Sequence, residues 1–354
     1  MINILIVSNQ NDIYAYQLCD ELNGDQYAMS VTYTSESQKK FIPNTVKSYY
    51  VPPFRHKFKM ASIRSIRKII NKENIDLIYC VNQSSLSNAL FASLGKKTKI
   101  IAYRGTQAKI RPTDPTYYLG ILNPRVSHVI CETADIKEKL KKYFSRNQLS
   151  VNTKPFKTEW VQDAVKQPKK FNNIPKDAFI VTCLANAKRR PFKGLSYLIE
   201  AARLIKNKNI HIIHIGNYDD IDFQRAQSLP NADQFHFTGF LSDAVHYLAD
   251  SDVCICPSTR DASPRSLREA MACEKACVVT DIPCARDLVI HNKTGLIIPP
   301  KSPKAIASSL EFLAENPKKN EEFGKEGKKH LQNAFNLNTY IKIFENTFQT
   351  LKGK

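Results

Sequence analysis

Two carboxylates stand eight residues apart in the run Pro257-Ser-Thr-Arg-Asp261-Ala-Ser-Pro-Arg-Ser-Leu-Arg-Glu269-Ala-Met-Ala-Cys273. The β-prone stretch Asp252–Pro257 predicts a short strand that ends at Pro257. Ser263 suits the cap of a following helix, and Pro264 suits its first turn, where a missing N–H costs nothing. Asp261 then falls in the loop and Glu269 on the helix. A helix N-terminus fed by a strand offers free N–H groups and a dipole to an anion. Carboxylates on either side of it suit a ligand with phosphates at one end and hydroxyls at the other, as in a nucleotide sugar. A solvated acid beside an ordinary strand–loop–helix unit fits the same spacing.

A second set of chemical side chains lies upstream. The predicted strand Phe179–Leu184 runs into Ala185-Asn-Ala-Lys188-Arg189-Arg190-Pro-Phe-Lys193-Gly194, and a helix is expected over Leu195–Leu204. Four cations in such a loop suit a diphosphate, with arginine offering a planar fork and lysine a mobile point charge. A charged surface loop is the plainer alternative. Gly216, after the expected strand Ile210–Ile215, and Gly239, after Phe235–Phe237, sit where a ligand or another backbone can come close.

The run around Asp261 and Glu269 resembles the signature of retaining glycosyltransferases of family 4, which have the GT-B fold. Asp261 stands where that family usually has glutamate, and Glu269 matches its second acid. Glu269-Ala-Met-Ala-Cys273-Glu-Lys-Ala-Cys-Val-Val279 follows the pattern, with Glu274 in place of the usual glycine and Ala276 in place of proline. Thr280-Asp281-Ile-Pro-Cys284-Ala-Arg-Asp-Leu-Val289 and Thr294-Gly295-Leu-Ile-Ile-Pro299 resemble the next two blocks, Cys284 standing where a glycine is common. The resemblance implies that Arg190 and Lys193, with Gly194, hold the donor diphosphate, Lys188 and Arg189 being rivals for the role of Arg190. It implies that Asp261 orients the donor sugar, and that Glu269 accepts hydrogen bonds from the nucleotide ribose. Ser263, Arg265 and Gly216 complete the expected donor site. The donor would be a UDP-, GDP- or ADP-sugar, with no cofactor and no metal, since cations already face the leaving group.

Such sites need rigid parallel sheets behind them. With 354 residues and 42% hydrophobic content, the chain can bury two α/β cores. The first half alternates apolar runs (Ile2–Ser8, Ala28–Tyr33, Leu77–Val81, Lys99–Tyr103, His128–Cys131) with helical patterns (Tyr14–Leu22, Ser62–Asn71, Ser84–Leu94, Ala134–Tyr143). That order implies βαβ units and a parallel sheet. It lacks the Gly-x-Gly-x-x-Gly dinucleotide fingerprint. A polar, proline-punctuated stretch at Ser150–Pro175 marks a boundary. The expected layout is an acceptor-binding Rossmann-like domain over 1–160 and a nucleotide-sugar-binding one over 161–335. The two would face across a cleft, with a last helix over 336–354 crossing back to the first. Further helices are expected at Asp243–Asp250, Ile306–Leu313, Glu321–Ala334 and Asn338–Leu351.

The chain carries a formal charge of +19, and residues 1–160 hold most of it, with 24 Lys/Arg against 12 Asp/Glu. Residues 39–72 contain ten Lys/Arg and no acid, interleaved with Phe41, Tyr49, Tyr50, Phe54 and Phe58. Aromatics settle at the headgroup level of a bilayer, and basic residues attract anionic lipid. The same composition suits nucleic acid, but no nucleic-acid signature accompanies it. An ordinary solvated face beside core aromatics also fits. The favoured partner is an anionic membrane. Arg104, after the Lys99–Tyr103 strand and ahead of Lys109, could meet an anionic acceptor or pair with a neighbouring acid.

No apolar run reaches the ~18 residues of a membrane span, and the first residues read as a buried strand rather than a signal peptide. The nine cysteines form no C-x-x-C pair, so buried free thiols are expected. These features place the chain in the cytoplasm, peripheral to the inner face of the membrane. The reading is a transferase moving sugar from a nucleotide-diphosphate donor to a lipid-linked or polysaccharide acceptor. The product would be a bacterial surface polysaccharide or lipopolysaccharide. Alternatives are a nucleotide-sugar-binding protein without transferase activity, and a nucleic-acid-binding protein.

Overall fold

The computed structural model describes residues 1–261 and 263–353. It divides into two compact units, Met1–Pro155 with Leu337–Lys354, and Phe156–Asn336. The boundary falls before the expected 160/161 position. Phe156 and Val161 pack with Leu331 and Phe335 in the second unit's core, and the Phe156 N–H donates to the Phe335 carbonyl at 3.0 Å. The far boundary shifts by one residue, to 336/337.

The first unit is built on seven parallel strands: β1 (Ile2–Val7), β2 (Tyr27–Tyr33), β3 (Lys47–Tyr50), β4 (Leu77–Cys80), β5 (Lys99–Arg104), β6 (Val126–Cys131) and β7 (Leu149–Val151). They lie in the order β3-β2-β1-β4-β5-β6-β7. The central strands are apolar on both faces, as a parallel sheet covered by helices requires. Successive residues go to opposite cores: Leu5 and Val7 join one cluster, Ile4 and Ile6 the other. Asp12 caps the first helix, Ile13–Leu22, by accepting from the Ala15 N–H at 3.2 Å. In helix Met60–Lys72 the stripe Ile63, Ile66, Ile69 and Ile70 is buried against the sheet. The edge strand β3, inside the basic run, was not expected. Its Lys-Ser-Tyr-Tyr composition carries no apolar alternation, and it is held by pairing with β2.

The last helix, Leu337–Lys352, belongs to this unit and not to the second. Tyr340, Phe344 and Phe348 are buried from it among Ile4, Ile6 and Tyr79. Phe344 meets the Tyr79 ring edge-on, with centroids 4.9 Å apart.

The second unit has six parallel strands: β8 (Phe179–Leu184), β9 (Ile210–Ile215), β10 (Phe235–Gly239), β11 (Val253–Cys256), β12 (Ala276–Thr280) and β13 (Gly295–Ile298). Their order is β10-β9-β8-β11-β12-β13. All nine cysteines of the chain are free, and all but Cys256 are buried, as expected. Among the described residues no helix is long and apolar enough to cross a membrane.

Phe344→Ala should lower the unfolding free energy by about 3–5 kcal/mol, the usual cost of emptying a buried phenylalanine site. Denaturant titration measures it directly. A loss below about 1 kcal/mol would show that the last helix does not help to hold the first unit.

Candidate functional site

In the second unit the strand order reverses between β8 and β11, which are hydrogen-bonded neighbours. Open α/β sheets leave a crevice beyond the strand ends at such a switch point. Here the two loops that border it are laced together. Gly194 has φ +77°, and a Cβ there would lie 2.0 Å from the Pro257 carbonyl oxygen. The Thr259 N–H donates to the Phe192 carbonyl at 2.8 Å, and the Arg260 guanidinium lies 4.7 Å from the Phe192 ring centroid. On the other side Gly216, at φ +136°, lets its backbone come against Ala185, where a Cβ would stand 2.1 Å from the carbonyl oxygen.

These approaches leave a cavity of about 270 Å³, and Arg190, Lys193, Gly216, Asp261, Ser263, Arg265 and Glu269 all line it. Two segments some seventy residues apart in sequence thus converge. Gly194 is not on the wall; its part is the backbone approach to Pro257. Lys188 and Arg189 do not line the cavity either, although the Arg189 N–H is tied to Asp219 at 2.8 Å. Beyond the expected site residues the wall includes Asn186, Phe240, Leu241 and Ser266. Phe240 is 64% exposed, unusual for a large apolar side chain. Its position just after Gly239 at a strand end was the available signal.

Two pairs of opposite charge line the cavity. Lys193 Nζ lies 2.7 Å from Asp261 Oδ2, and Arg265 Nε donates to Glu269 Oε1 at 2.9 Å. Arg190 is exposed and has no carboxylate within ion-pair distance among the described residues. Glu269 is only 7% exposed, and burial raises its pKa above the ordinary carboxyl value, with Arg265 opposing the rise.

The expected cap of the helix does not form. The helix runs over Arg265–Ala272 with Pro264 at the cap position and no side-chain cap hydrogen bond. Ser263 Oγ instead accepts from the buried Arg268 guanidinium, which reaches back one turn. The helix thus begins at the edge of the cavity with no side-chain hydrogen bond from its cap residue. Cations, helix N–H groups and two carboxylates in one crevice can bind a diphosphate and accept hydrogen bonds from hydroxyls.

Residues 165–330 match the family model described as glycosyl transferases group 1, and residues 3–132 match that described as glycosyl transferase 4-like. The chain belongs to glycosyltransferase family 4. The match to the first model spans every cavity residue named above. An N,N'-diacetylbacillosaminyl-diphospho-undecaprenol alpha-1,3-N-acetylgalactosaminyltransferase of Campylobacter jejuni is 28% identical over 48% of this chain and 44% of its own length. The capsular polysaccharide biosynthesis glycosyltransferase CapM of Staphylococcus aureus is 24% identical over 53% of this chain and 50% of its own. The chain thus spans about half the length of these two curated relatives. The solved structure of Anabaena Alr3699/HepE in complex with UDP superposes with a TM-score of 0.79 at 17% identity, covering 99% of this chain and 100% of that one. The same protein has been solved with UDP-glucose. The fold of this glycosyltransferase is GT-B.

A buried carboxylate kept for function should cost this family member stability. A carboxyl whose folded pKa is raised loses stability as pH climbs from its unfolded value through its folded one. Glu269→Gln should therefore be more stable than the parent at pH 7, with the gain vanishing below the ordinary carboxyl range. Chemical denaturation of both proteins at pH 7 and near pH 3.5 checks this. A variant less stable than the parent at pH 7 would assign Glu269 a net structural role through Arg265.

Proposed function

We propose that this glycosyltransferase moves a hexosyl unit from a nucleoside-diphosphate sugar to a lipid-linked or saccharide acceptor, with retention of anomeric configuration. The observation that carries the reading is the cavity at the β8–β11 switch point, which joins Arg190 and Lys193 to Asp261 and Glu269. Retention is what family membership implies. Relatives whose names specify a diphospho-undecaprenol substrate and a capsular polysaccharide support an acceptor in bacterial surface-glycan synthesis. HepE complexes with UDP and UDP-glucose support a nucleotide-sugar donor.

In this reading the bond from the anomeric carbon to the diphosphate oxygen breaks as the acceptor hydroxyl adds to the same face. Negative charge grows on the departing diphosphate, and Arg190, Lys193 and the first N–H groups of helix Arg265–Ala272 stabilise it. The donor phosphate takes Lys193 from Asp261, whose carboxylate then accepts from the sugar hydroxyls. Glu269, fixed on the helix, accepts from the ribose. The acceptor's proton leaves with the phosphate, so no protein nucleophile and no metal is required. The rival reading, a nucleotide-sugar-binding protein without transfer, shares the site and differs only in turnover.

Lys193→Ala and Arg190→Ala should each lower turnover by ~10²–10³, as loss of one oxyanion donor does. Neither should move the thermal midpoint by more than a few degrees. Turnover within a few-fold of the parent in both variants would show the leaving group to be held elsewhere.

The same reading puts the enzyme at the cytoplasmic face of the inner membrane. Within residues 39–72, Phe54 and the isoleucine stripe are consumed by the core. Phe41, Tyr50 and Phe58 remain more than half exposed. Not all the cations are available: Lys47 pairs with Glu73 at 3.0 Å, and Arg67 donates to the Ala92 and Leu94 carbonyls at 3.1 and 2.8 Å. Lys40, Arg55, Lys59 and Arg64 are exposed. Each such cation near an anionic surface is worth ~1 kcal/mol. Changing those four to glutamine should weaken sedimentation with anionic vesicles at least tenfold and leave neutral vesicles unaffected. Unchanged binding, or binding indifferent to lipid charge and salt, would remove the membrane from the account.

A further inference from the structure

The first unit holds a groove of about 600 Å³ at the end of its sheet where β1, β4 and β5 begin, opposite the end at which those strands run out. Its walls come from several segments. Ile70 and Asn71 lie in the last turn of helix Met60–Lys72, residues 96–98 lead into β5, and Leu351 and Lys352 end the last helix. The segments before β4 and β5 are tied together: the Thr98 hydroxyl donates to the Ile75 carbonyl at 3.0 Å, and the Lys99 N–H to the Asp76 carbonyl at 2.9 Å.

The floor of the groove is apolar, with Ile2, Ile75, Leu77 and Leu351 buried beneath it. Its rim is cationic. Lys96, Lys97, Lys99 and Lys352 line it, and among the described residues none of the four has a carboxylate within ion-pair distance. Asp76 is the acid on this wall, and its Oδ2 already accepts from the Asn3 N–H at 2.9 Å. Lysines at the C-terminus of a helix are ordinary, since they meet the negative end of its dipole. That accounts for Lys352, in the last turn of its helix, but not for Lys96, Lys97 and Lys99. Helix Gln83–Ala92 ends before them, and Gly95, at φ +72°, lies between in a conformation through which no helix continues. Four like charges around one groove repel each other, and an anionic partner removes that cost.

We propose that this groove seats an acidic amphipathic helix of a partner protein, its apolar side chains on the buried floor and its carboxylates on Lys96, Lys97, Lys99 and Lys352. The choice of partner uses both halves of the site. A flat bilayer meets the lysines but does not reach the floor of a groove. A polyphosphate meets the lysines and leaves the floor wet. A helix laid in a groove carries apolar anchors at i, i+3 or i+4 and can hold carboxylates beside them. The groove also lies apart from the cations assigned above to the membrane. Lys59 caps the start of helix Met60–Lys72 and Asn71 stands near its end, about 18 Å away at 1.5 Å per residue. A partner in the groove therefore does not compete with lipid at Lys59. The inference stands without the donor and acceptor assignments.

Fluorescence anisotropy of the full chain with a labelled glutamate-rich peptide, carrying leucine at every fourth position, tests it. Two control peptides replace leucine by serine, or glutamate by glutamine. The leucine–glutamate peptide should bind at least tenfold more tightly than either control. Changing Lys96, Lys97, Lys99 and Lys352 to glutamine should weaken it tenfold or more. The same charge removed from Lys318, Lys319, Lys325 and Lys329, on helix Pro317–Ala334, should change it by less than about twofold. Asn71→Trp fills the groove from an exposed helix position, keeps every lysine and should also abolish binding. No binding by the parent, equal losses in the two quadruple variants, or full binding by Asn71→Trp would each overturn the proposal. So would a serine peptide that binds as tightly as the leucine one, since charge alone would then suffice. Sedimentation of the groove variant with anionic vesicles should match the parent. A parallel loss there would assign these lysines to the bilayer and overturn the partner helix.

Discussion

One close approach sets up the cavity of the second unit: the Gly194 backbone against the Pro257 carbonyl. It brings the loop after β8 and the loop after β11 into contact at the single place where the second sheet reverses its strand order. Any side chain at 194 would meet that carbonyl, and φ +77° would strain it even with room to spare. With the contact made, Arg190 and Lys193 come from one loop and Asp261 from the other. The Thr259–Phe192 hydrogen bond and the Arg260–Phe192 stack act on the same pair of loops. The contact does for the cations what a rigid scaffold does for any electrostatic site: their position is fixed before the charge to be stabilised appears.

Of the cations in the cavity, two are already paired with its carboxylates, and Arg190 has no carboxylate at ion-pair distance among the described residues. Lys193 has Asp261, and Arg265 has Glu269. An incoming diphosphate would therefore meet one unpaired cation, Arg190, and exchange partners at Lys193. The exchange is favourable to the extent that a phosphate is a better acceptor for a cation than one carboxylate, and that the freed carboxylate finds hydroxyl donors. A ligand with only phosphate would take Lys193 from Asp261 and offer that carboxylate nothing in return, in a crevice where both side chains are largely shielded. A ligand with only hydroxyls would have nothing for Lys193. Joint demand for both groups is a basis for selectivity that needs no further contact.

Much of this was legible in the sequence. β8 and β9 stand where continuous apolar runs between turn signals put them, because a strand buried on both faces leaves that pattern. Arg190 could not be told from Lys188 and Arg189 by composition, since all three are cations in one loop; the resemblance singled it out, and of the three it is the one that lines the cavity. Ser263 was misjudged as a cap because its competitor, Arg268, acts through tertiary geometry that no local pattern carries. Phe240 escaped notice because an aromatic after a glycine reads as any loop residue. Glu274 shows the reverse. It stands where the resemblance leads one to expect glycine, and its φ of +57° is the conformation glycine would take. Gly324, whose Cβ would lie 2.0 Å from the Glu274 carbonyl oxygen, supplies the close approach from the neighbouring helix. The left-handed turn is thus kept with a side chain in place, and Lys328 meets that side chain at 2.8 Å.

The two sheets also show why topology alone does not assign chemistry. The first sheet reverses its order between β1 and β4 as the second does between β8 and β11. At the first reversal an amide and hydroxyl network stands beside one ion pair, Lys154 with Asp12 at 3.1 Å: the Asn82 amide donates to Asn9 Oδ1 at 2.6 Å, and Asn9 in turn donates to Ser84 Oγ at 3.1 Å and to the Phe54 carbonyl at 2.5 Å. Amides and hydroxyls bonded to one another can trade partners with another hydroxyl at little net cost, but they cannot offset a diphosphate's charge. At the second reversal cations line the wall. The same crevice in the same architecture therefore carries several cations in one unit and mainly amides and hydroxyls in the other. The difference lies in which side chains the strand ends carry, and not in the strands themselves.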